Sequence, residues 1–453
     1  MRWFNLLYHN LFNISLRKTI DPFSPFFLLK PAFMSKYLLS FFLFVIGSTG
    51  YTQTTSLSLD SCLSLARENY PMIKQLDLIT KTEKYNVSNI SKAWWPQFNL
   101  NAQATYQSEV THFDLKIPGL DLPAPPNKDQ YKIYLDIGQV IYDGGQISAQ
   151  KNIARTSSRM EMIKTESELY KIKERVQQLY FGNLLIQKQL KSVDLLNIDL
   201  NEQIKKAKAA LEAKAISANI LYALEAEQLK ADQRKDELKS SQAQWILLLS
   251  KFINRNLDSN VNFILPDAPP LNTQINRPEI KLYDQQASLS EYQYRNNRSS
   301  SIPHLQAFVQ LGYSNPALNF LKEGFQSYYI AGLKFNWNLS SFYTKANGSR
   351  INISNKNIAE LQKETFLFNS QLSLIQQQEE INKYQKLLAT DKELVELRRK
   401  IKEAAKAQWE NGVITVSDYL RELNAEEQAR TNEAIHQIQF LQSAYLHHFY
   451  SGN

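Results

Sequence analysis

A single cysteine, Cys62, excludes an internal disulfide, so no covalent staple holds this chain. Glycine and proline are scarce, 13 and 15 in 453 residues, which argues against the loop-rich build of an α/β enzyme and for long helices. Past the first 52 residues no segment approaches the roughly 18 consecutive apolar residues of a membrane-spanning helix, so a helical membrane protein is excluded. Catalytic signatures are missing too: there is no His-Glu-x-x-His, no phosphate-binding glycine loop and no nucleophile elbow. His9, His112, His304 and His436 are scattered, and only His447-His448 are adjacent. No metal, cofactor or enzymatic activity is therefore expected. A Lys/Arg block is lacking as well. Of the formal charge of +8, half comes from Arg2, Arg17, Lys18, Lys30 and Lys36 against Asp21. A nucleic-acid partner is not expected.

Those basic residues belong to a leader, residues 1–52. Met34-Ser35-Lys36 followed by the apolar run Tyr37 to Ile46 and the small residues Gly47 to Gly50 has the make-up of a secretory signal, at about 34–52. Residues 1–33 read as an upstream extension, and a retained anchor is the alternative. Cys62 invites a lipid-attachment reading, but Asp60 suits such a cleavage site poorly. It also shares an apolar helix face with Leu59, Leu63 and Ala66, which favours a buried structural cysteine.

The remainder is a duplication. Tyr70-Pro71-Met72-Ile73-Lys74 recurs as Arg277-Pro278-Glu279-Ile280-Lys281, and Trp95-Pro96 as Ile302-Pro303, both offset by 207. Further on Leu135, Ile137 and Ile141 match Leu333, Phe335 and Leu339, and Glu212 and Ile216 match Glu410 and Ile414, now offset by 198. The repeats are assigned to residues 53–276 and 277–453. The nine lost residues fall where Glu109–Gln130, with Pro118, Gly119, Pro123, Pro125 and Pro126, is replaced by the shorter Ser314–Gln326. Variation in length marks solvent-exposed loops.

Each repeat holds two segments of strict period two. Phe98, Leu100, Ala102, Ala104 and Tyr106 alternate with Gln and Asn, and Tyr131, Ile133, Leu135 and Ile137 with Lys132, Tyr134, Asp136 and Gly138. In the second copy Leu305, Ala307, Val309, Leu311 and Tyr313 alternate likewise, as do Ala331, Leu333, Phe335, Trp337 and Leu339. A soluble sandwich would give this pattern. However, the wet face is rich in Gln and Asn rather than charge, and aromatic residues stand near the strand ends, as in strands that cross a bilayer. Four strands cannot close a transmembrane barrel, which needs about eight, so several chains must share one.

Two heptad-patterned stretches dominate the rest. Leu169, Ile172, Val176, Leu179, Ile186, Leu190, Val193, Leu200, Ile204, Ala207 and Leu211 form a seam broken at Asn183 and Asn197. Ile381, Leu388, Leu394, Leu397, Ile401 and Ala405 repeat it, in a helix expected over about Lys345 to Gln408. Each spans ~100 Å at 1.5 Å per residue. Partner helices are expected over Ile216–Phe252 and Val416–Tyr450, with Tyr142-Asp143-Gly144-Gly145 turning the first copy from strand to helix.

Over residues 57–450 the chain resembles the TolC family of outer-membrane efflux and secretion channels. The resemblance rests on Leu57-Ser58-Leu59-Asp60 leading to Ala66-Arg67-Glu68-Asn69-Tyr70-Pro71, on Ala93-Trp94-Trp95-Pro96-Gln97, on Ile141-Tyr142-Asp143-Gly144-Gly145, and on Asn411 to Leu420. It implies a mainly α chain with a transmembrane β part. Four strands per protomer of a homotrimer would build a twelve-stranded outer-membrane β-barrel, continued by a long periplasmic α-helical barrel. It further implies a passive exit duct in the lipid bilayer, coupled to a periplasmic membrane-fusion adaptor and an inner-membrane pump that expels small toxic compounds. Type I protein secretion is the alternative, and a periplasmic adaptor a more distant one.

By the same resemblance the helix-hairpin tips dock the adaptor: Lys214, Ala215 and Ile216 at the first, Gly412, Val413 and Ile414 at the second, unless they are hairpin turns only. Lys214 stands where glycine is usual. Val413 and Ile414 are expected to form an exposed apolar patch. Asp418 falls where the family's closed periplasmic mouth carries an acid, while Arg421, followed by Glu422, stands a turn later where another acid would be expected. Asp418 and Arg421 are expected to form intersubunit ion pairs that hold the mouth shut in a trimer, and a solvated helix face is the alternative.

Overall fold

The alternating segments assemble into one antiparallel sheet. The computed structural model describes residues 56–111, 125–258 and 261–452; the leader and residues 112–124, part of the segment expected to be a loop, lie outside them. The strands are β2 (Gln97–Tyr106), β3 (Asp129–Tyr142), β5 (His304–Asn315) and β6 (Gln326–Asn336), in the order β2-β3-β5-β6. The two hairpins thus abut through β3 and β5. Register places Leu100, Leu135, Leu311 and Tyr329 in one row, and Phe98, Ile137, Val309 and Ala331 in the next. Between these rows, on the other face, stand Asn99, Asp136, Gln310 and Ile330. A bulge at Ile141 shifts the register where β3 leaves the sheet. The fourth strand is shorter than its alternation predicts: it stops at Asn336, Trp337 lies beyond it, and Leu339 opens a 3-10 turn. A two-residue parallel pair, β1 (Ser56–Leu57) with β4 (Asn262–Phe263), is too short to show any periodicity.

Seven helices complete the described chain: α1 (Leu59–Asn69), α2 (Ile73–Ser91), α3 (Gln146–Glu212), α4 (Ala218–Ile253), α5 (Pro278–Ser299), α6 (Phe342–Glu410) and α7 (Val416–Ser451). α3 and α6 run for 67 and 69 residues, about 100 Å each. Asp143 starts α3: its Oδ1 accepts from the Gly145 amide at 2.9 Å and its Oδ2 from the Ile147 amide at 2.6 Å. Gly144 and Gly145 supply the positive φ of 62° and 88°. The second copy turns differently. Leu339–Ser341 make a 3-10 turn running straight into α6, which starts at Phe342, three residues earlier than expected.

Cys62 is fully buried in α1, and burial pushes its thiol up to about 12. The buried Tyr180 hydroxyl lies 2.8 Å and 2.6 Å from the carbonyl oxygens of Leu57 and Ile264, tying the β1–β4 pair onto α3. At the repeat junction Arg277 is buried against Glu279, its guanidinium 5.0 Å from the Tyr170 ring centre and 4.7 Å from that of Phe449.

The two seams fare differently. In α3 Leu169, Val176, Leu179, Ile186, Val193, Leu200, Ile204 and Ala207 are all buried. In α6 Ile381 and Ala405 are buried, but Leu394, Leu397 and Ile401 are bare. The reason is placement: α3 is flanked by α2, α4, α5 and α7, whereas α6 packs on α5 and α7. Upstream on α6 Ile351, Ile358, Leu361, Phe368, Leu372 and Ile375 keep heptad spacing and are exposed among the described residues.

The sheet is inverted relative to a soluble one. Its apolar face is open: Phe98 is 65% exposed, Leu100 71%, Tyr329 75% and Leu333 67%. The polar-face residues Lys132, Tyr134, Asp136, Gln310 and Tyr328 are half-buried, as on the concave side of a curved sheet. Among the described residues β2 and β6 each have one strand neighbour, leaving both edges open.

Candidate functional site

The α3–α4 and α6–α7 turns form the hairpin tips and share one backbone. At the first, the Lys214 amide donates to Leu211 O at 2.9 Å and the Ala215 amide to Ala210 O at 2.8 Å. At the second, Gly412 donates to Trp409 O at 2.9 Å and Val413 to Gln408 O at 2.8 Å. Both are Schellman caps, which need a left-handed residue. Gly412 takes it at φ 72°, and Lys214, 198 positions earlier, takes it at φ 56°. The substitution noted in the sequence therefore leaves the turn unchanged and places a strained lysine at its apex. Lys214→Gly is expected to stabilise the protein by about 1 kcal/mol, and Gly412→Ala to destabilise it by a similar amount. Urea unfolding of the two variants checks both signs.

Side chains at the tips divide more sharply than expected. Val413 is 71% exposed, and Lys214, Ala215 and Gly412 are exposed with it. Ile216 and Ile414 are half-buried, packed with Leu211 and Trp409 on a core of Leu200, Ile204, Leu224, Tyr419 and Leu423. The solvent-facing apolar patch at the second tip is Val413 alone. The expected partnership of Val413 and Ile414 fails because Ile414 faces its own hairpin.

The start of α7 is a capping box. Thr415 Oγ1 accepts from the Asp418 amide at 3.2 Å, and Asp418 Oδ2 accepts from the Thr415 amide at 3.3 Å. Ser217, the counterpart at α4, makes no such side-chain bond. Hydrogen bonds from Thr415, then the Arg421 charge, hold the Asp418 carboxyl below the usual range. A depressed folded-state value means the cap contributes above the ordinary aspartate pKa of about 3.9 and is lost as pH falls through the folded value. Arg421 pairs with Asp418 and with Glu422, at 3.3 Å each, and Glu422 meets Arg398 at 3.2 Å. These pairs join Asp418, Arg421 and Glu422 within one chain and bring in Arg398, which the sequence did not single out.

Behind them lies a buried ionic knot. Lys402, 5% exposed, reaches Asp199 at 3.0 Å and Glu403 and Glu426 at 3.1 Å each, and Glu426 also binds Arg430. Burial lowers the pKa of the Lys402 ammonium, but its bonds to Asp199 and Glu403 outweigh that and raise it overall. Around the knot Lys406 binds Glu202 at 3.1 Å and Lys206 binds Glu410 at 2.9 Å. Together these bonds tie α3 to α6 and α7, one hairpin to the other.

No protein-family model and no curated protein sequence matches this chain. Solved structures do. The Campylobacter jejuni CmeC outer membrane channel aligns with TM-score 0.64 at 14% identity, over 87% of this chain and 86% of that one. The outer membrane protein VceC from Vibrio cholerae aligns with TM-score 0.65 at 12% identity, over 87% and 96%. The open-state MtrE outer membrane channel of Neisseria gonorrhoeae gives 0.64 at 12%, over 87% and 89%. Two strand hairpins in one sheet, two helices of about 100 Å with their shorter partners, and these likenesses over most of the chain give it the fold of the TolC-like outer-membrane channels.

Proposed function

We propose that this chain is one protomer of a homotrimeric passive duct. It would cross the outer membrane, reach through the periplasm, and couple to a periplasmic adaptor and an inner-membrane pump that expels small toxic compounds. The inverted sheet carries this reading: an apolar face bare to the surroundings, a polar face turned inward and two open edges. Lipid covers such a face, and strands of neighbouring copies pair such edges. The bare heptad stripe on α6 supports packing against a second copy along the shaft. The repeats, 53–276 and 277–453, then alternate around the barrel, and the work of export comes from the pump.

In this reading the tips dock the adaptor through Val413 and Ala215, with Lys214 beside them. Val413→Asp is expected to weaken co-purification of the cognate adaptor roughly tenfold while the trimer persists. Unchanged adaptor recovery would place the docking surface elsewhere. Asp418, Arg421 and Glu422 restrain the periplasmic mouth. Arg421→Ala removes both of that side chain's ion pairs and is expected to raise single-channel conductance in a planar bilayer; an unchanged conductance rejects this gate.

A further inference from the structure

The half-buried polar face of the sheet carries aromatic rings beside glycines. Tyr134 and Tyr328 stand on either side of Gly312, in a row that also holds Asn101. A Cβ at Gly312 would fall 2.3 Å from the Tyr328 ring, so the glycine is what lets that ring lie across the strand. Four residues along each strand the arrangement inverts: Phe308 lies between Gly138 and Gly332, where a Cβ at Gly332 would come within 3.1 Å of its ring. Lysines flank these rows. Lys132 Nζ sits 4.5 Å from the Tyr134 ring centre and 5.5 Å from that of Tyr328. Lys334, paired with Gln306, stands in the row beyond Phe308. Asp136 is the acid on this face, so the strands contribute one net positive charge per chain to it.

We infer that this surface is a solute-binding collar in the channel wall, selective for organic anions that carry an aromatic ring. It rests on the duct reading above, in which the polar face lines the lumen. Tyr328 is held across Gly312 with the Lys132 ammonium over it and over Tyr134, so an aromatic solute stacks there as that ammonium swings to the solute's anionic group. The Lys132 ammonium, which lies over these two rings, is within a side chain's swing of a sulfonate or carboxylate on such a solute. An organic cation meets the same rings but is repelled by the ammonium. The collar thus gives a wide duct a chemical preference at its membrane end, one that the Gln and Asn of the remaining wall do not supply.

The test uses the full-length protein reconstituted in a planar bilayer, with naphthalenesulfonate, methanesulfonate and naphthylmethylammonium as probes of current block. Naphthalenesulfonate is expected to block and the other two to block weakly or not at all. Lys132→Gln and Tyr328→Leu are each expected to weaken that block roughly fivefold. Leu333→Val, on the lipid face, serves as a control and should leave the block unchanged. Equal block of wild type and both variants overturns the collar, as does stronger block by the cation. Absence of any conductance step from the wild-type protein would instead overturn the duct itself.

Discussion

Leu311→Arg is expected to abolish accumulation of the protein in the outer membrane, while Gln310→Arg, one residue away, leaves it intact. Leu311 sits mid-strand in the row Leu100, Leu135, Leu311 and Tyr329, on the face that is bare in the single chain. For a soluble protein an exposed leucine tolerates arginine within about 0.5 kcal/mol. Facing lipid near the bilayer midplane, the same change costs about 2–4 kcal/mol, and a symmetric assembly meets it once in every copy. Gln310 points to the opposite, half-buried polar face, where an added cation meets water. The check is the amount of heat-sensitive oligomer in outer-membrane fractions. Equal amounts of the two variants would mean that the apolar face does not meet lipid.

Lys402→Met is expected to be the most destabilising single change in the helical shaft, at about 3–5 kcal/mol. The methionine fits the space, but it takes the Lys402 cation away from Asp199 and removes one of the two cations that Glu426 meets. Glu426 is almost fully buried and would retain only Arg430. The double variant Lys402→Met with Glu426→Gln should recover much of the loss, because the cost lies in the stranded charge rather than the missing bridge. Urea unfolding midpoints of the two variants decide it: a double variant no better than the single one would assign the cost to packing. The folded-state pKa of Lys402 lies above its ordinary value. Its contribution is therefore complete below about pH 10.4 and is lost only as pH rises through the higher folded value. The knot should hold unchanged across the neutral range.

Much of the fold was legible because its signals are long and local. Period two over ten residues at Gln97–Tyr106 and the heptads from Leu169 to Leu211 in α3 can be read without tertiary context. The duplication also located the tips, since Lys214 and Gly412 share one offset and, in the structure, one left-handed turn. What escaped depends on contacts between distant residues. Charge alone gave no hint that Lys402 meets Asp199, 203 positions away, inside the shaft rather than on a solvated face. Ile414 is apolar next to an apex, and only the packing of Trp409 and Tyr419, with rings 5.3 Å apart, shows that it turns inward. The α6 seam from Ile381 to Ala405 was visible as periodicity, but the bare stripe upstream of it, Ile351 to Ile375, was not singled out, and periodicity does not say which chain covers either. The Tyr134, Gly312 and Tyr328 row was hidden for the same reason, since register across three strands is not written in any one of them.

In the proposed duct, other copies of this chain cover the inverted sheet, its two open edges and the bare α6 stripe. Native mass spectrometry of the particle extracted from outer membranes in mild detergent tests this directly. Three chains per particle are expected; a stable, monodisperse monomer would contradict the shared barrel and with it the duct.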